Sequence, residues 1–433
     1  MEAVARPTQP SERIPSLDFL RGVAVLGILL INIETFAYPD SWSPYAYGFA
    51  TEADRTTRFW VYFLAQGKFF SLFTLLFGVG FVLFLERIGR RETGLRALDV
   101  YARRLLWLFL IGVTHAYLIW DGDILFHYAV CGCFLFPFRS FRLRGLAFAL
   151  FILAALVSWN AYERTARVDA RYDAYVEAQA VPEADRSEEQ TAAVARWERQ
   201  TQRGEAHEGP IDVPRQTYGA SIVTSYNALA IHTGQVLHRG LLFRTLIMML
   251  LGVLLYRLGV FQDTRALRGY WLITLALLVV GLALSYIRYH QWTYAYFEPV
   301  RDVRMGVLLA LNREVLTVAY VLLLNGLYQR FLRGLRFNPV SDAGRLALTN
   351  YISQSVLCGL LFYGYGLGWH GTFARHELLY VVVAIWALQL AASWLWCRRF
   401  RYGPLEWAWR RLTYGSFERE SVAAKPAPAN AKA

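Results

Sequence analysis

The chain has 433 residues, of which 56% are hydrophobic and only 18% charged, and no long polar stretch supplies the surface of a soluble domain. Its 14 Trp and 26 Tyr suit two interfacial belts of amphipathic rings. The net charge of +12 sits in short loops beside apolar stretches, where membrane topology alone places basic residues, so it does not call for nucleic acid.

Ten apolar stretches read as membrane helices, since a span needs about 20 mostly apolar residues. They lie near 18–37, 60–85, 103–119, 124–138, 145–160, 240–258, 270–287, 306–328, 345–366 and 377–397. Arginines fill every second connection. Arg87, Arg90, Arg91, Arg96, Arg103 and Arg104 follow the second stretch; Arg139, Arg142 and Arg144 follow the fourth. Arg265 and Arg268 follow the sixth, Arg330, Arg333 and Arg336 the eighth, and Arg398, Arg399, Arg401, Arg410 and Arg411 the tenth. The positive-inside rule assigns these to the cytoplasm, both termini with them. Loops 38–59, 120–123, 161–239, 288–305 and 367–376 then lie outside. The first stretch carries Glu34 and has no clear small-residue cleavage site after its apolar core, so it reads as a retained span. Cys131, Cys133, Cys358 and Cys397 all fall within or at the end of spans, as small buried residues rather than a disulfide framework.

The expected fold is therefore all-α: a polytopic membrane helical bundle of about ten transmembrane helices. It divides into an N-terminal membrane bundle at 1–160, a small extracytoplasmic helical insertion at 161–239, a C-terminal membrane domain at 240–415 and a disordered tail at 416–433. Between Glu163 and Arg215 there are 12 acidic and 8 basic side chains. Helical spacing around Tyr172, Tyr175, Val176, Val194 and Trp197 predicts one or two amphipathic helices there, ending at Gly204 and the Pro210/Pro214 turn. Acceptor recognition and a solvated cap both fit this segment.

Three polar groups stand out inside the apolar stretches. Asp18 and Arg21 are three apart at the start of the first span, share a helix face and can pair. Gly22 and Gly27 beside them predict close approach of another helix. Asn32 lies three turns further on, with Glu34 close behind. Polar groups at that depth face a bundle interior or a wet cavity, so the helix lines either a functional path or a buried structural network. The densest cluster spans His115, Asp121, Asp123 and His127. A histidine near carboxylates is a tunable proton acceptor; a capping network also satisfies the pattern, and the spacing matches no strong metal motif, so no metal site is predicted. The ninth span opens with Asn350 and Gln354 on one face. These make interhelical hydrogen bonds or line a site for a nucleotide-like or acyl-carrier ligand. Lys68, in the outer half of the second span, snorkels or counters a carboxylate.

The stretches Leu17-Asp18-x-Leu20-Arg21-Gly22, Gly122-Asp123-Ile124-Leu125, Leu346-Ala347-Leu348-Thr349-Asn350-Tyr351-x-x-Gln354-Ser355 and Gly403-Pro404-Leu405-Glu406-Trp407 resemble the YeiB-like family of bacterial membrane proteins. The resemblance covers nearly the whole chain and implies a C-terminal domain of unknown function at about 230–415. The start of the first span is also distantly similar to transmembrane acyltransferases of the heparan glucosamine acetyltransferase and sugar O-acyltransferase type. That similarity implies an acyl group carried from cytoplasmic acyl-coenzyme A to an extracytoplasmic acceptor. In those enzymes a histidine follows eleven residues after the arginine, or about eleven beyond an asparagine there. Here Asn32 and Ser43 occupy those positions, which moves the expected base to His115.

The resulting expectation is a multi-pass protein of the bacterial inner membrane. Its partners are the lipid bilayer, an acyl-coenzyme A donor and an envelope glycan or lipid-like acceptor, with no nucleic acid. Asp18 and Arg21, with Asn350 and Gln354, would bind the donor. Asn32 would polarise the thioester, and His115, oriented by Asp121 or Asp123, would be the base. Two other readings stay open: a small-metabolite transporter using the same polar path, and a non-catalytic envelope factor. No Walker-type loop is present for primary active transport. Oligomeric state is not legible in the sequence.

Overall fold

The protein is an all-α membrane bundle. A computed structural model describes residues 14–38, 51–89, 95–201, 217–219, 229–234, 239–295, 300–335 and 337–415. Ser43, Gly204, the Pro210/Pro214 turn and the tail lie outside the described residues.

Helix α1, Pro15–Ala37, begins with proline in its first turn, where a missing N–H breaks no intrahelical bond. Its 23 residues extend about 35 Å, enough to cross a bilayer. It is followed by α2 (Glu52–Leu64), α3 (Lys68–Gly89), α4 (Leu95–Leu118), α5 (Leu125–Leu135), α6 (Leu143–Gln179) and α7 (Glu188–Thr201). The second half holds α8 (Arg239–Arg257), α9 (Tyr270–Ala295), α10 (Val303–Leu308), α11 (Asn312–Leu327), α12 (Pro339–Arg345), α13 (Ala347–Phe362), α14 (Leu378–Arg399) and α15 (Pro404–Tyr414).

Among the described residues, seven helical segments are long and apolar enough to cross a membrane: α1, α2–α3, α6, α8, α9, α10–α11 and α14. The other three expected spans are helical as well. α4 has the length, but Arg103, Arg104 and His115 dilute its apolar run. α5 and α13 have 11 and 16 residues and are shorter than a full span, each with one buried face and one that exposes apolar side chains such as Phe134, Val356 and Leu360. α5 gives way to a tighter turn at Phe136–Ser140, where Pro137 removes a donor.

Two boundaries differ from the sequence reading. The second expected span breaks at Gly67, whose φ of +74° favours glycine, and this separates α2 from α3. The expected boundary at residue 160 is not a break: α6 runs uninterrupted for 37 residues from the fifth span into the insertion. α7 folds back onto it, with the Trp197 ring 5.1 Å from Tyr172 and 5.9 Å from Tyr175.

α1 is the central helix, with 67% of its apolar window buried, whereas α6, α9 and α14 are peripheral at 17%, 22% and 28%. Their outer faces expose Phe148, Phe151, Leu272, Val279, Tyr380 and Val383, an apolar surface that only lipid covers without penalty. The N- and C-terminal halves share one core, since Val25, Phe81 and Leu105 pack in the same cluster as Met249, Leu348 and Tyr351. Close approach at Gly22 is realised: a Cβ there would lie 1.9 Å from the Val340 carbonyl oxygen, and one on Gly344 would lie 1.7 Å from that of Asp18. α1 and α12 are thus in backbone contact, which places Asp18 and Arg21 beside Arg345.

Candidate functional site

A cavity of about 300 Å³ opens among the ends of α1, α3, α4, α12 and α15. Arg21, Arg87, Arg104, Arg345, Arg401 and Arg410 surround its mouth, with Asp18 and Glu406 as the carboxylates. Its interior is apolar, lined by Phe73, Phe77, Phe81, Leu105, Leu108 and Leu125, with Tyr128 and Tyr351 at the inner end.

The mouth is built by local pairings. Arg21 donates to Asp18 at 3.0 Å, the pair predicted from their spacing, and both line the cavity. Arg345 pairs with Asp342 at 3.1 Å, and Arg104 stacks 3.8 Å from the Trp409 ring centre. Glu406 accepts from the backbone N–H groups of Leu348 and Thr349 and from the Thr349 hydroxyl, tying α15 to the first turn of α13. Burial pushes the Glu406 carboxyl above the usual range, against those donors. Arg345 Nε and Arg410 Nη2 are buried with no hydrogen-bond partner among the described residues. Such donors leave a desolvation cost that an anion in the cavity removes.

Beyond Tyr351 the polar cluster closes on itself. His115, in the last turn of α4, places Nδ1 2.9 Å from Asp123 Oδ1 and Nε2 2.9 Å from Ser355 Oγ on α13. All three side chains are buried. Asp123 precedes α5 and takes the Phe126 backbone N–H on its other oxygen at 2.7 Å. With Asp123 as a carboxylate and the ring neutral, this geometry has Nδ1 donating to Asp123 and Nε2 accepting from the serine hydroxyl. Gly112 makes this possible, because a Cβ there would lie 2.3 Å from the Phe126 nitrogen. Tyr351 joins the cluster to the cavity: its ring is 5.2 Å from that of His115, and it precedes Ser355 by one turn.

A second, more open cavity of about 520 Å³ lies on the other side, lined by Phe109, Val113, Tyr117, Phe126, Leu229, His232 and Thr233. His232 stacks on Phe126 at 4.0 Å and holds Nε2 3.8 Å from Asp123 Oδ2.

Of the predicted residues, His115 and Asp123 are brought together and Asp18 and Arg21 line the mouth. Asp121 is half-buried in the turn without a hydrogen bond to His115. His127 turns away to Thr245 at 2.8 Å. Asn32 is half-buried on α1 and reaches neither His115 nor the cavity. Asn350 donates to Ala343 O and Ser393 Oγ, and Gln354 to Val25 O and Gln389 Oε1. These two make the interhelical bonds that the sequence also allowed, and neither lines the cavity. Among the described residues no group of three His, Cys, Asp or Glu is arranged to hold a metal. Sequence reasoning gave Tyr351 and Ser355 only as members of a family motif, and singled out neither His232 nor the converging arginines other than Arg21. The arginines carried a signal, but it read as topology.

The chain is 31% identical over 430 residues to the uncharacterized protein YeiB of Escherichia coli (strain K12), covering 93% of this chain and 96% of the relative. It belongs to the YeiB-like family. It is also 30% identical over 434 residues to the uncharacterized protein YxaH of Bacillus subtilis (strain 168), covering 95% of this chain and 97% of that relative. Residues 255–416 match a family described as a protein of unknown function, DUF418. Within that stretch lie Arg345, Tyr351, Ser355 and Glu406, so the family's domain contributes one wall of the cavity and the serine of the cluster.

Proposed function

We propose that this chain is an acyltransferase of the bacterial cytoplasmic membrane, with the arginine-rich end and both termini in the cytoplasm. It takes an acyl group from cytoplasmic acyl-coenzyme A and passes it to a hydroxyl or amine on the far side. The observation that carries this reading is the cavity with an arginine mouth and an apolar throat, stopping one ring short of the buried Asp123–His115–Ser355 cluster. Planar guanidinium groups suit the phosphates of coenzyme A, and the throat suits its uncharged arm and acyl chain.

The hydrogen bonds support the following roles. Because His115 Nε2 is engaged by Ser355 Oγ, the imidazole acts on the serine rather than directly on an acceptor. Ser355 Oγ attacks the thioester carbonyl as Nε2 takes its proton. The carbon–sulfur bond breaks, and the departing thiolate leaves as coenzyme A thiol with that proton. The acceptor then attacks the Ser355 ester, passing its proton to Nε2 and on to Oγ as the serine is released. Asp123 keeps the proton on Nδ1 and steadies the charged ring. The second cavity, nearly all apolar, suits an acceptor with a lipid-like body.

The test is purified full-length chain in proteoliposomes with acyl-labelled acyl-coenzyme A. Label is expected on the protein and on acceptors from envelope extracts. Ser355→Ala should remove the protein-bound label, and His115→Ala should slow transfer by about 10³-fold or more, while both still bind coenzyme A. Absence of labelling and transfer in the wild type, with solute flux in the same vesicles, would replace this reading with a carrier.

A further inference from the structure

Five cationic side chains at the end of the bundle opposite the cavity mouth have no part in that reaction. Lys68 opens α3, Arg313 is the second residue of α11, Arg244 lies in the second turn of α8, Arg288 is near the end of α9, and Arg164 is on the extension of α6. Chain direction brings all five to one end, and they are electrostatic neighbours: Lys68 with Arg313 and Arg288, and Arg288 with Arg313, Arg244 and Arg164.

Glu314 is the one carboxylate among these described neighbours, and Arg244 holds it at 2.8 and 3.1 Å. Lys68 is buried and donates to the Tyr62 carbonyl at 3.0 Å, a neutral acceptor. No carboxylate among the described residues lies within 4 Å of Lys68 or Arg313. Two helix N-termini meet at the same place. α3 starts after the break at Gly67, and α11 starts after the break that follows α10. The Thr317 hydroxyl lies 3.5 Å from the Lys68 carbonyl and holds them side by side. Gly67 also seats the Arg313 guanidinium, since a Cβ there would lie 2.4 Å from its Nε.

Lys68 is buried and Arg244, Arg288 and Arg313 are half-buried, while Arg164 is exposed at the rim; like charges partly withdrawn from water repel more strongly than at an open surface. Loop topology does not account for these residues, because the other arginine-rich segments lie at the opposite end. An anion removes the penalty, and a guanidinium beside an ammonium suits phosphate oxygens. We propose that this cluster binds a phosphate-bearing molecule, either a soluble one or a lipid headgroup, at the end of the bundle opposite the cavity. The site stands whether or not the chain transfers acyl groups.

The test uses the full chain in phosphatidylcholine nanodiscs, with inorganic pyrophosphate in the buffer or phosphatidylglycerol in the disc as probes. The melting midpoint is the readout. At least one probe should raise the midpoint of the wild type. Lys68→Met and Arg313→Gln should each weaken that response by about tenfold or more, the loss of a charged hydrogen bond, while Arg21→Ala, at the mouth proposed for coenzyme A phosphates, should leave a response that still depends on Lys68 and Arg313. Arg313→Lys, which keeps the charge and loses the fork, should fall between. Without a probe, Lys68→Met should melt no lower than the wild type, because a repulsion has been removed; a merely structural lysine would instead lower the midpoint and leave the response intact. A response to pyrophosphate assigns a soluble ligand, and a response to phosphatidylglycerol alone assigns a headgroup. The proposal is overturned if neither probe acts, or if Arg21→Ala abolishes the response and the Lys68 and Arg313 variants keep it.

Discussion

Glu34 and Arg375 show how a charge survives at the depth of this bundle. Their side chains meet at 2.5 Å, both buried, and the Tyr62 hydroxyl donates to the same carboxylate at 3.3 Å. Removing one partner leaves the other charged and desolvated, so Arg375→Ala should cost about 3–5 kcal/mol. Unfolding of the purified protein in mixed micelles measures it. The double variant Glu34→Ala/Arg375→Ala should lose clearly less than the two single losses added together; simple additivity would mean that the pair is not coupled. The sequence marks Glu34 as a polar group needing company, but its partner is 341 positions away, and no spacing rule reaches that far. The same holds for the serine that meets His115 across 240 positions. Local pairs such as Asp18–Arg21 were legible because a helix turn brings them together; distant pairs appear only once the helices are packed.

At the scale of elements, glycine decides which helices touch. Gly22 and Gly344 remove the side chains between α1 and α12, and the resulting contact carries Asp18, Arg21 and Arg345 to one mouth. Gly344→Val places a Cβ 1.7 Å from the Asp18 carbonyl oxygen, where backbone rather than a flexible side chain stands in the way. It should cost about 1–3 kcal/mol or more through overpacking and weaken coenzyme A binding, read by thermal stabilisation with the ligand. Gly89→Ala meets nothing within 4 Å and serves as the control; equal behaviour of the two variants would remove the backbone contact from the argument. Hydropathy found the helices because lipid demands apolar length. It misread their ends where another rule took over: the glycine break at Gly67, the uninterrupted α6, and α5 and α13, whose regular α-helix stops short of a full span. Arginines that ring the cavity were indistinguishable in sequence from those that set topology, because the positive-inside rule and phosphate binding call for the same residue on the same side.

For the whole molecule, orientation and proposed function stand or fall together. Chain direction places the α6–α7 hairpin at the end opposite the cavity mouth, because α1 starts at that mouth and each long helix reverses the path. If the arginine-rich end faces the cytoplasm, the hairpin lies outside. Glu188 is exposed at the first turn of α7, so Glu188→Cys presents a thiol there, while the native Cys131 and Cys358 are buried. An impermeant maleimide should label this variant in intact spheroplasts as fully as in lysed ones, against the background of the unsubstituted chain. Labelling only after lysis would put the hairpin inside and turn the cavity mouth outward, away from the cytoplasmic pool of acyl-coenzyme A. The donor assignment would then fail even if the Asp123–His115–Ser355 geometry is right, because the throat would open on a compartment that does not supply the thioester. Labelling in intact spheroplasts keeps the cavity mouth on the side that supplies the thioester, as the proposed donor assignment needs.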